Sequence, residues 1–252
     1  MKSFFAAVQF LTIFPFPTRW GGGERELGRS VVFFPVVGLL IGTLAATFDA
    51  GLRSVLPELL SSVFVVVALV GVSGGLHIDG LADTADGFLS SRPREQILEI
   101  MKDSRTGPMG VTAIVCVISM QIAAVASIPP HLRWGTILLM PLAGRCAMVI
   151  EMGVLPYVRP EGGLGTVFQR SRSLLHAAWA LAFLTLVGWI TTAWIGLMAC
   201  AASLALTLIL AAYAYRKIGG LTGDVLGASC ELVEVVPALV AVAWAHRGAS
   251  AW

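Results

Sequence analysis

Charged side chains are scarce in this chain. Asp, Glu, Lys and Arg make up 13% of its 252 residues, and hydrophobic residues make up 57%. A soluble globular protein carries roughly 25% charged residues. The composition therefore argues against a water-soluble domain. It indicates an integral membrane protein, which we expect to be an all-α bundle of membrane-spanning helices.

Other absences exclude further classes. The net charge of +2 is too small to indicate a nucleic-acid partner. No internal repeat or low-complexity segment is evident, so residues 1–252 are predicted to form a single membrane domain. The cysteines lack the paired spacing of a disulfide or metal site, which favours packing inside helices. They are Cys116, Cys146, Cys200 and Cys230.

An apolar run near the N-terminus, F-F-A-A-V-Q-F-L-T-I-F, is short for a membrane span, which needs about 20 residues. No small-residue cleavage site follows it, which disfavours a signal peptide. We expect an interfacial or re-entrant helix that ends at Pro15 and Pro17. About seven longer segments are predicted to span the membrane. They are Val31–Asp49, Leu56–Leu76, Met109–Ile128, Trp134–Leu155, Leu174–Ile190, Trp194–Tyr213 and Leu232–Ala245.

The basic residues predict the orientation of the chain. Of its 17 lysines and arginines, 13 fall on one side of the predicted bundle, and only Arg53, Arg133 and Arg247 fall on the other. Arg145 lies within a span. An excess of positive charge marks the cytoplasmic side. This predicts a multi-pass protein of a prokaryotic cell (inner) membrane, with its polar motifs facing the cytoplasm.

The residues from His77 to Gly87 read H-I-D-G-L-A-D-T-A-D-G and are predicted to lie at the cytoplasmic end of the second span. The spacing would place Asp79, Asp83 and Asp86 on one face of a helix. Like charges at that spacing repel, so this face requires a cation. His77 could be a ligand or a phosphate contact, although its spacing favours a hydrogen-bonded interfacial histidine.

A short amphipathic helix is predicted after this motif, at the membrane surface. Pro93 suits its first turn, with Ser90 or Ser91 as the cap. Its apolar stripe consists of Ile97, Ile100 and Met101. This helix would deliver the next polar residues to the start of the third span.

Those residues suit a metal-assisted phosphoryl transfer. Asp103 would join the three aspartates in holding one or two Mg²⁺ ions, which prefer carboxylate oxygens and complete their shell with water and substrate phosphate. Two ions could clamp the attacking and leaving oxygens. Arg105 could bind phosphate as a planar fork, with Ser104 beside it and Gly107 allowing close backbone approach.

Further polar residues on the same side complete the predicted substrate site. Thr222 and Asp224 lie in the stretch that opens the last span, where a helix-cap role for Asp224 is an equal alternative. Gly165 belongs to a glycine-rich loop whose alternative role is a flexible connector. Arg145 could bind phosphate or neutralise the acids, and we expect it and Glu151 to have partners on other helices.

Two other interpretations of the acids stay open. They could be helix caps or solvated charges, although three on one face beside an apolar span make this less favourable. They could also form the path of a divalent cation transporter. Against this, they cluster at one interface, whereas transporters bind their substrates near the bilayer midplane.

Five blocks, in order along most of the chain, carry a family resemblance. They are F-F-P-V-V-G-L-L-I-G at Phe33–Gly42, G-G-L-H-I-D-G-L-A-D-T-A-D-G at Gly74–Gly87, E-I-M-K-D-S-R-T-G at Glu99–Gly107, E-G-G-L-G-T-V-F at Glu161–Phe168 and G-G-L-T-G-D-V-L-G-A at Gly219–Ala228. In these blocks the chain closely resembles the cobalamin synthase family. The second block is highly specific, and the departures are small.

The resemblance implies a polytopic membrane enzyme that uses Mg²⁺ in the last joining step of cobalamin assembly. The cobinamide-phosphoryl group of adenosylcobinamide-GDP would pass to α-ribazole or α-ribazole 5′-phosphate, with loss of GMP. The family's acidic motif carries over to Asp79, Asp83, Asp86 and Asp103 as metal ligands. It assigns no general base, for which we rank Asp86 first, His77 second and Asp224 third. The expected partners are these substrates and the lipid bilayer, and a homo-oligomer is left open.

A phospholipid-forming CDP-alcohol phosphotransferase is a neighbouring alternative. Such an enzyme also uses aspartate-bound metal and releases a nucleoside monophosphate. Its pattern D-G-x-x-A-R, followed by G-x-x-x-D-x-x-x-D, is not matched by D-G-L-A-D-T in this sequence.

Overall fold

The computed structural model describes residues 1–17, 23–159, 167 and 173–249. These residues form helices almost throughout, with one isolated β-bridge between Tyr157 and Leu221. A single 3-10 turn joins α2 to α3. The α-helices are α1 (Lys2–Leu11), α2 (Glu24–Ser30), α3 (Phe34–Leu52), α4 (Glu58–Val72), α5 (Leu76–Phe88), α6 (Arg94–Ile100), α7 (Pro108–Ala126), α8 (Pro130–Val154), α9 (Leu174–Thr192), α10 (Trp194–Ile218), α11 (Gly223–Glu234) and α12 (Val236–Ala249).

Within the part of the chain that the structure describes, six helical stretches are long and apolar enough to cross a membrane, and the count reaches seven when α4 and α5 are taken together. They are Glu24–Leu52, α7, α8, α9, α10 and Gly223–Arg247. The prediction of an all-α, multi-pass membrane bundle with about seven spans is therefore confirmed.

The second predicted span is broken, which corrects the sequence interpretation. Helix α4 ends at Val72, and α5 leaves it at an angle of 87°. The break falls at Gly74 and Gly75, whose φ angles of +62° and +76° are readily adopted only by glycine. The aspartates therefore lie on a separate helix and not at the end of a straight span Leu56–Leu76.

Helix α8 forms the centre of the bundle and is buried along nearly its whole length. Helix α3 packs directly on it, because Gly38 and Gly42 have no side chain to separate the backbones. A Cβ on Gly38 would lie 2.9 Å from the Cα of Leu142, and one on Gly42 would overlap the carbonyl oxygen of Leu138. Small residues four apart allow this close approach between membrane helices.

A buried ion network closes one end of the bundle. Arg133, at the start of α8, is 1% exposed and donates two hydrogen bonds of 2.8 Å to Asp49 at the end of α3. Its other bonds reach Glu58, Ser62 and the carbonyl oxygen of Val125. Because a buried charge requires such partners, the network joins the ends of α3 and α7 to the starts of α4 and α8.

Several predicted boundaries shift. Helix α1 ends at Leu11, before Pro15, because Thr12 is already extended. The last span begins at Gly223, where the Thr222 hydroxyl accepts a hydrogen bond from Val225, and not at Leu232. The fifth and sixth spans are joined by a tight turn, since Ala193 alone separates α9 from α10.

The predicted amphipathic helix is present as α6, although the serine cap is wrong. Pro93 takes the cap position without a side-chain hydrogen bond, and Ser91 has a positive φ of 53°. Ile97 and Met101 are buried, and both would touch a side chain at Gly87 of α5. The apolar stripe of α6 therefore packs on the end of α5.

Candidate active site

The acidic helix α5 meets the start of α11 through two glycines. A Cβ on Gly80 would lie 2.7 Å from the carbonyl oxygen of Asp224, and one on Gly227 would lie 3.2 Å from the Cα of His77. Because neither residue has a side chain, the two backbones come into contact. This contact places Asp224 beside the acidic face of α5.

The three aspartates of α5 share one face, as predicted. Asp79 is exposed, and Asp83 and Asp86 are half-buried. The opposite face is buried and consists of Leu81, Ala82, Thr84, Ala85 and Phe88. Helix α5 therefore turns its apolar face into the bundle and its carboxylates away from the core.

Asp83 lies at the centre of an acidic cluster that also contains the guanidinium of Arg159. The charges of Asp79, Asp224 and Asp86 all act on it, and so does the charge of Arg159. Arg159 donates from Nη2 to Asp224 Oδ2 at 2.8 Å and to the carbonyl oxygen of Met101 at 3.1 Å. When all four carboxylates are ionised, one guanidinium leaves an excess of three negative charges.

The sequence pattern does not single out Arg159, which is only one of the 13 basic residues on the predicted cytoplasmic side. Two backbone hydrogen bonds next to Arg159 hold it in position. Val158 donates to Leu221 at 2.9 Å, and Leu221 donates to Pro156 at 2.8 Å, so the end of α8 is held against the start of α11. The available signal was its place between the buried end of α8 and the Glu161–Phe168 block.

Asp86 is the most constrained of the aspartates. Its two carboxylate oxygens accept hydrogen bonds from the backbone amides of Gly107 at 2.6 Å and Gly110 at 2.9 Å. These amides belong to the first turn of α7, which lacks a side-chain cap of its own. A side chain at either glycine would overlap the carboxylate. Asp86 thus caps a neighbouring helix, where a negative charge is favoured.

A polar cleft of about 390 Å³ opens beside Asp86. Asp103 and Arg105 line it as an exposed pair, joined by bonds of 2.6 Å and 3.2 Å from the guanidinium to Oδ2. The hydrogen bonds from the Arg105 side chain and amide lower the pKa of Asp103 to about 2. Thr106 and Gly107 also line the cleft, whereas Ser104 is exposed next to it.

The donor chemistry of the cluster suits a hard divalent cation, since it offers several carboxylates with too few cations to balance them. The side chains are not arranged for one, however. Among residues 1–17, 23–159, 167 and 173–249, no three His, Cys, Asp or Glu side chains are positioned to hold one metal ion. Asp86, Asp103 and Asp224 have amide or guanidinium partners. Mg²⁺ binding by Asp79, Asp83, Asp86 and Asp103 stays a prediction.

Two predicted site residues are not brought to the acidic face. His77 is 1% exposed on the opposite side of α5, and its Nε2 has no hydrogen-bond partner among the described residues. Arg145 is equally buried and pairs with Glu234 of α11. Glu151 accepts a bond of 2.8 Å from Ser229. The prediction that Arg145 and Glu151 have partners on other helices is thus confirmed.

The remaining predicted site residues are Asp224, Thr222 and Gly165. Asp224 is at the acidic cluster, 20% exposed, and not the helix cap. Thr222 is fully buried and is the cap of α11, and its hydroxyl donates to Asp224 Oδ2 at 3.2 Å. Gly165 lies outside the described residues.

Fold and site together define a multi-pass membrane protein with an acidic helix beside a polar cleft. The model of one family, described as cobalamin-5-phosphate synthase, matches residues 3–242. The chain therefore belongs to this family.

Similar curated proteins cover nearly the same length. An adenosylcobinamide-GDP ribazoletransferase of Geotalea daltonii is 35% identical over 98% of this chain and 99% of its own. Relatives of the same name from Acetivibrio thermocellus and Roseiflexus sp. are 36% and 40% identical, over 92% and 91% of this chain and 94% and 85% of their own. No solved structure matches the chain.

Proposed function

We propose that this chain is a transferase that joins adenosylcobinamide-GDP to α-ribazole or α-ribazole 5′-phosphate and releases GMP. The observation that carries the proposal is the match over almost the whole chain to relatives named for this reaction. A bond forms between a ribose hydroxyl oxygen of the acceptor and the phosphorus attached to cobinamide. The phosphorus–oxygen bond to GMP breaks, and the hydroxyl proton passes to a base.

The acidic cluster and the polar cleft are proposed to form the reaction site. Asp79 and Asp83 would hold Mg²⁺ with Asp86, Asp103 or both, and the ion would offset charge on the phosphates. Arg105 and Arg159 would orient phosphate oxygens through charge-assisted hydrogen bonds.

Two of the candidate bases are supported by their positions. Asp224 and Asp86 lie at the acidic face, and each carboxylate oxygen of Asp86 also accepts one backbone amide hydrogen bond. His77 would have to leave the buried face of α5 to reach a substrate there.

We further propose that the site faces the cytoplasm of a prokaryotic cell and that the bundle lies in the inner membrane. Contacts support a common end for the basic segments. Arg94 donates to the carbonyl oxygen of Ile218, Lys217 donates to that of Phe88, and Arg159 bridges Met101 and Asp224. An excess of positive charge at one end predicts the cytoplasmic side.

The test is release of GMP by purified protein in detergent, with adenosylcobinamide-GDP, α-ribazole 5′-phosphate and Mg²⁺. We expect GMP and the joined corrinoid in equal amounts, loss of both after chelation of Mg²⁺, and recovery when Mg²⁺ is restored. No GMP from intact substrates would refute the transferase proposal. Turnover that persists after chelation would refute the metal proposal alone. Metal flux into proteoliposomes without nucleotide product would favour the transporter.

A further inference from the structure

A second, apolar cavity lies behind the acidic helix. It has a volume of about 330 Å³ and is lined by residues of α5, α7, α10 and α11, with its opening between α7 and α10. We call it the lateral slot. Its walls include Thr84 and Phe88 of α5, Val117 and Met120 of α7, Tyr213 of α10 and Ala228 of α11. Since α7 and α10 are both candidate membrane spans, the slot opens toward the lipid.

The lateral slot is separate from the proposed reaction site. Its α5 residues form the face of that helix opposite to Asp79, Asp83 and Asp86. A ligand in the slot would be divided from the carboxylates by the whole thickness of α5. The slot is therefore not an extension of the polar cleft.

A cation is fixed at the mouth of the slot by residues of its wall. Lys217 donates from Nζ to the carbonyl oxygen of Phe88 at 2.8 Å and lies 5.6 Å from the centre of the Tyr213 ring. The Phe88 and Tyr213 rings pack edge to face, 5.5 Å apart. An ammonium has three donors, so Lys217 can also bind an anion. The preceding residue, Arg216, is exposed.

One polar atom inside the slot also points to a ligand. Thr84 is 9% exposed, and its hydroxyl has no hydrogen-bond partner among the residues that the structure describes. It lies one helical turn before Phe88, whose carbonyl holds Lys217. Burying a hydroxyl without a partner is unfavourable. An acceptor oxygen a short distance inside the mouth would satisfy it.

We infer that the lateral slot binds one acyl chain of an anionic phospholipid. The chain lies against the apolar walls, an ester carbonyl oxygen accepts from Thr84, and the phosphate pairs with Lys217. Basic positions between membrane helices bind anionic headgroups, with about 1 kcal/mol for each Lys or Arg. The occupant is thus defined by three matched regions: an apolar body, a hydroxyl and a cationic mouth.

The test counts the lipids retained by the protein. The chain is reconstituted into nanodiscs of phosphatidylcholine and phosphatidylglycerol in equal parts, released into mild detergent, and analysed by native mass spectrometry. We expect one phosphatidylglycerol on the wild type. Ala113→Trp, which fills the slot, should lose it, and Val115→Trp, on the exposed side of the same helix, should keep it.

A second variant avoids crowding the core. Lys217→Gln should bind phosphatidylglycerol about fivefold more weakly, as expected for the loss of one cation near the headgroup. Arg53→Gln, a basic residue at the opposite end, should bind it as the wild type does. Unchanged retention in both Ala113→Trp and Lys217→Gln would overturn the inference. So would displacement of the lipid by α-ribazole 5′-phosphate, or a dimer that closes the slot with a second copy.

Discussion

At the scale of single residues, Asp83 and Asp86 differ in what holds them, although both belong to the same acidic motif. Asp83 is surrounded by like charges, whereas Asp86 is held by two backbone amides. The ionised Asp83 therefore lowers the stability of the fold, whereas Asp86 raises it. Substitutions at the two positions should affect stability in opposite directions.

Replacing Asp83 with Asn should abolish turnover without weakening the fold. Loss of a metal-holding carboxylate should lower GMP release at least about 100-fold. Unfolding in an SDS titration should occur at the same or a higher SDS concentration, because repulsion with Asp79, Asp86 and Asp224 is relieved. Glu99→Gln on α6 is the control and should change neither property. Near-normal turnover would remove Asp83 from the ligand set.

Replacing Asp86 with Ala should destabilise the protein. The first turn of α7 loses the acceptor for two amides, which costs about 1–2 kcal/mol of unfolding free energy. Asp86→Asn keeps an acceptor oxygen and should be affected less. SDS titration of both variants measures the difference. If Asp86→Ala were as stable as the wild type, the capping contact would have no energetic role.

The sequence was sufficient to place the acids on one helix face but not to show what each one contacts. Helical spacing correctly placed Asp79, Asp83 and Asp86 on one face. It gave no means of pairing Asp86 with α7 or Arg159 with Asp224, because those contacts join segments 24 and 65 residues apart. Arg145 looked like a phosphate ligand because its partner, Glu234, is 89 residues away.

At the scale of elements, close contacts between helices depend on glycines. Their role cannot be predicted from the sequence, because it depends on which helix packs against them. Hydropathy predicted most of the spans, since each needs only a long apolar run. Hydropathy did not predict the break between α4 and α5, because Gly74 and Gly75 change the direction of the chain without making it less apolar. It also placed the start of the last span too late, since Asp224, Glu231 and Glu234 dilute the apolar run.

A substitution at Gly42 should test the α3–α8 contact. Gly42→Ala would push a methyl group into the backbone of α8 at Leu138, and overpacking of this kind costs about 1–3 kcal/mol. Gly71→Ala in α4 is the matched control, since nothing lies within 4 Å of its added Cβ. It should be neutral or stabilising by up to about 1 kcal/mol. Equal stabilities of the two variants, measured by SDS titration, would contradict the packing argument.

At the scale of the whole molecule, the two ends of the bundle differ in charge and should face different compartments. Single cysteines are introduced at Arg92 and Arg53 in a chain whose one exposed cysteine, Cys116, is replaced by Ser. A membrane-impermeant maleimide added to intact cells should label the Arg53 position and spare the Arg92 position. The opposite pattern would invert the proposed orientation, and disruption of the cells should expose both positions.

The buried network around Arg133 has a mechanical consequence. Breaking a buried ion pair costs about 3–5 kcal/mol, so the ends of α3 and α7 and the starts of α4 and α8 behave as a clamp. The opposite end is joined by the amide hydrogen bonds to Asp86, single carbonyl contacts and the partly exposed Arg159–Asp224 pair, which separate at lower cost. We therefore expect the acidic end of the bundle to separate more readily than the end held by Arg133, which would admit a bulky substrate to the proposed site.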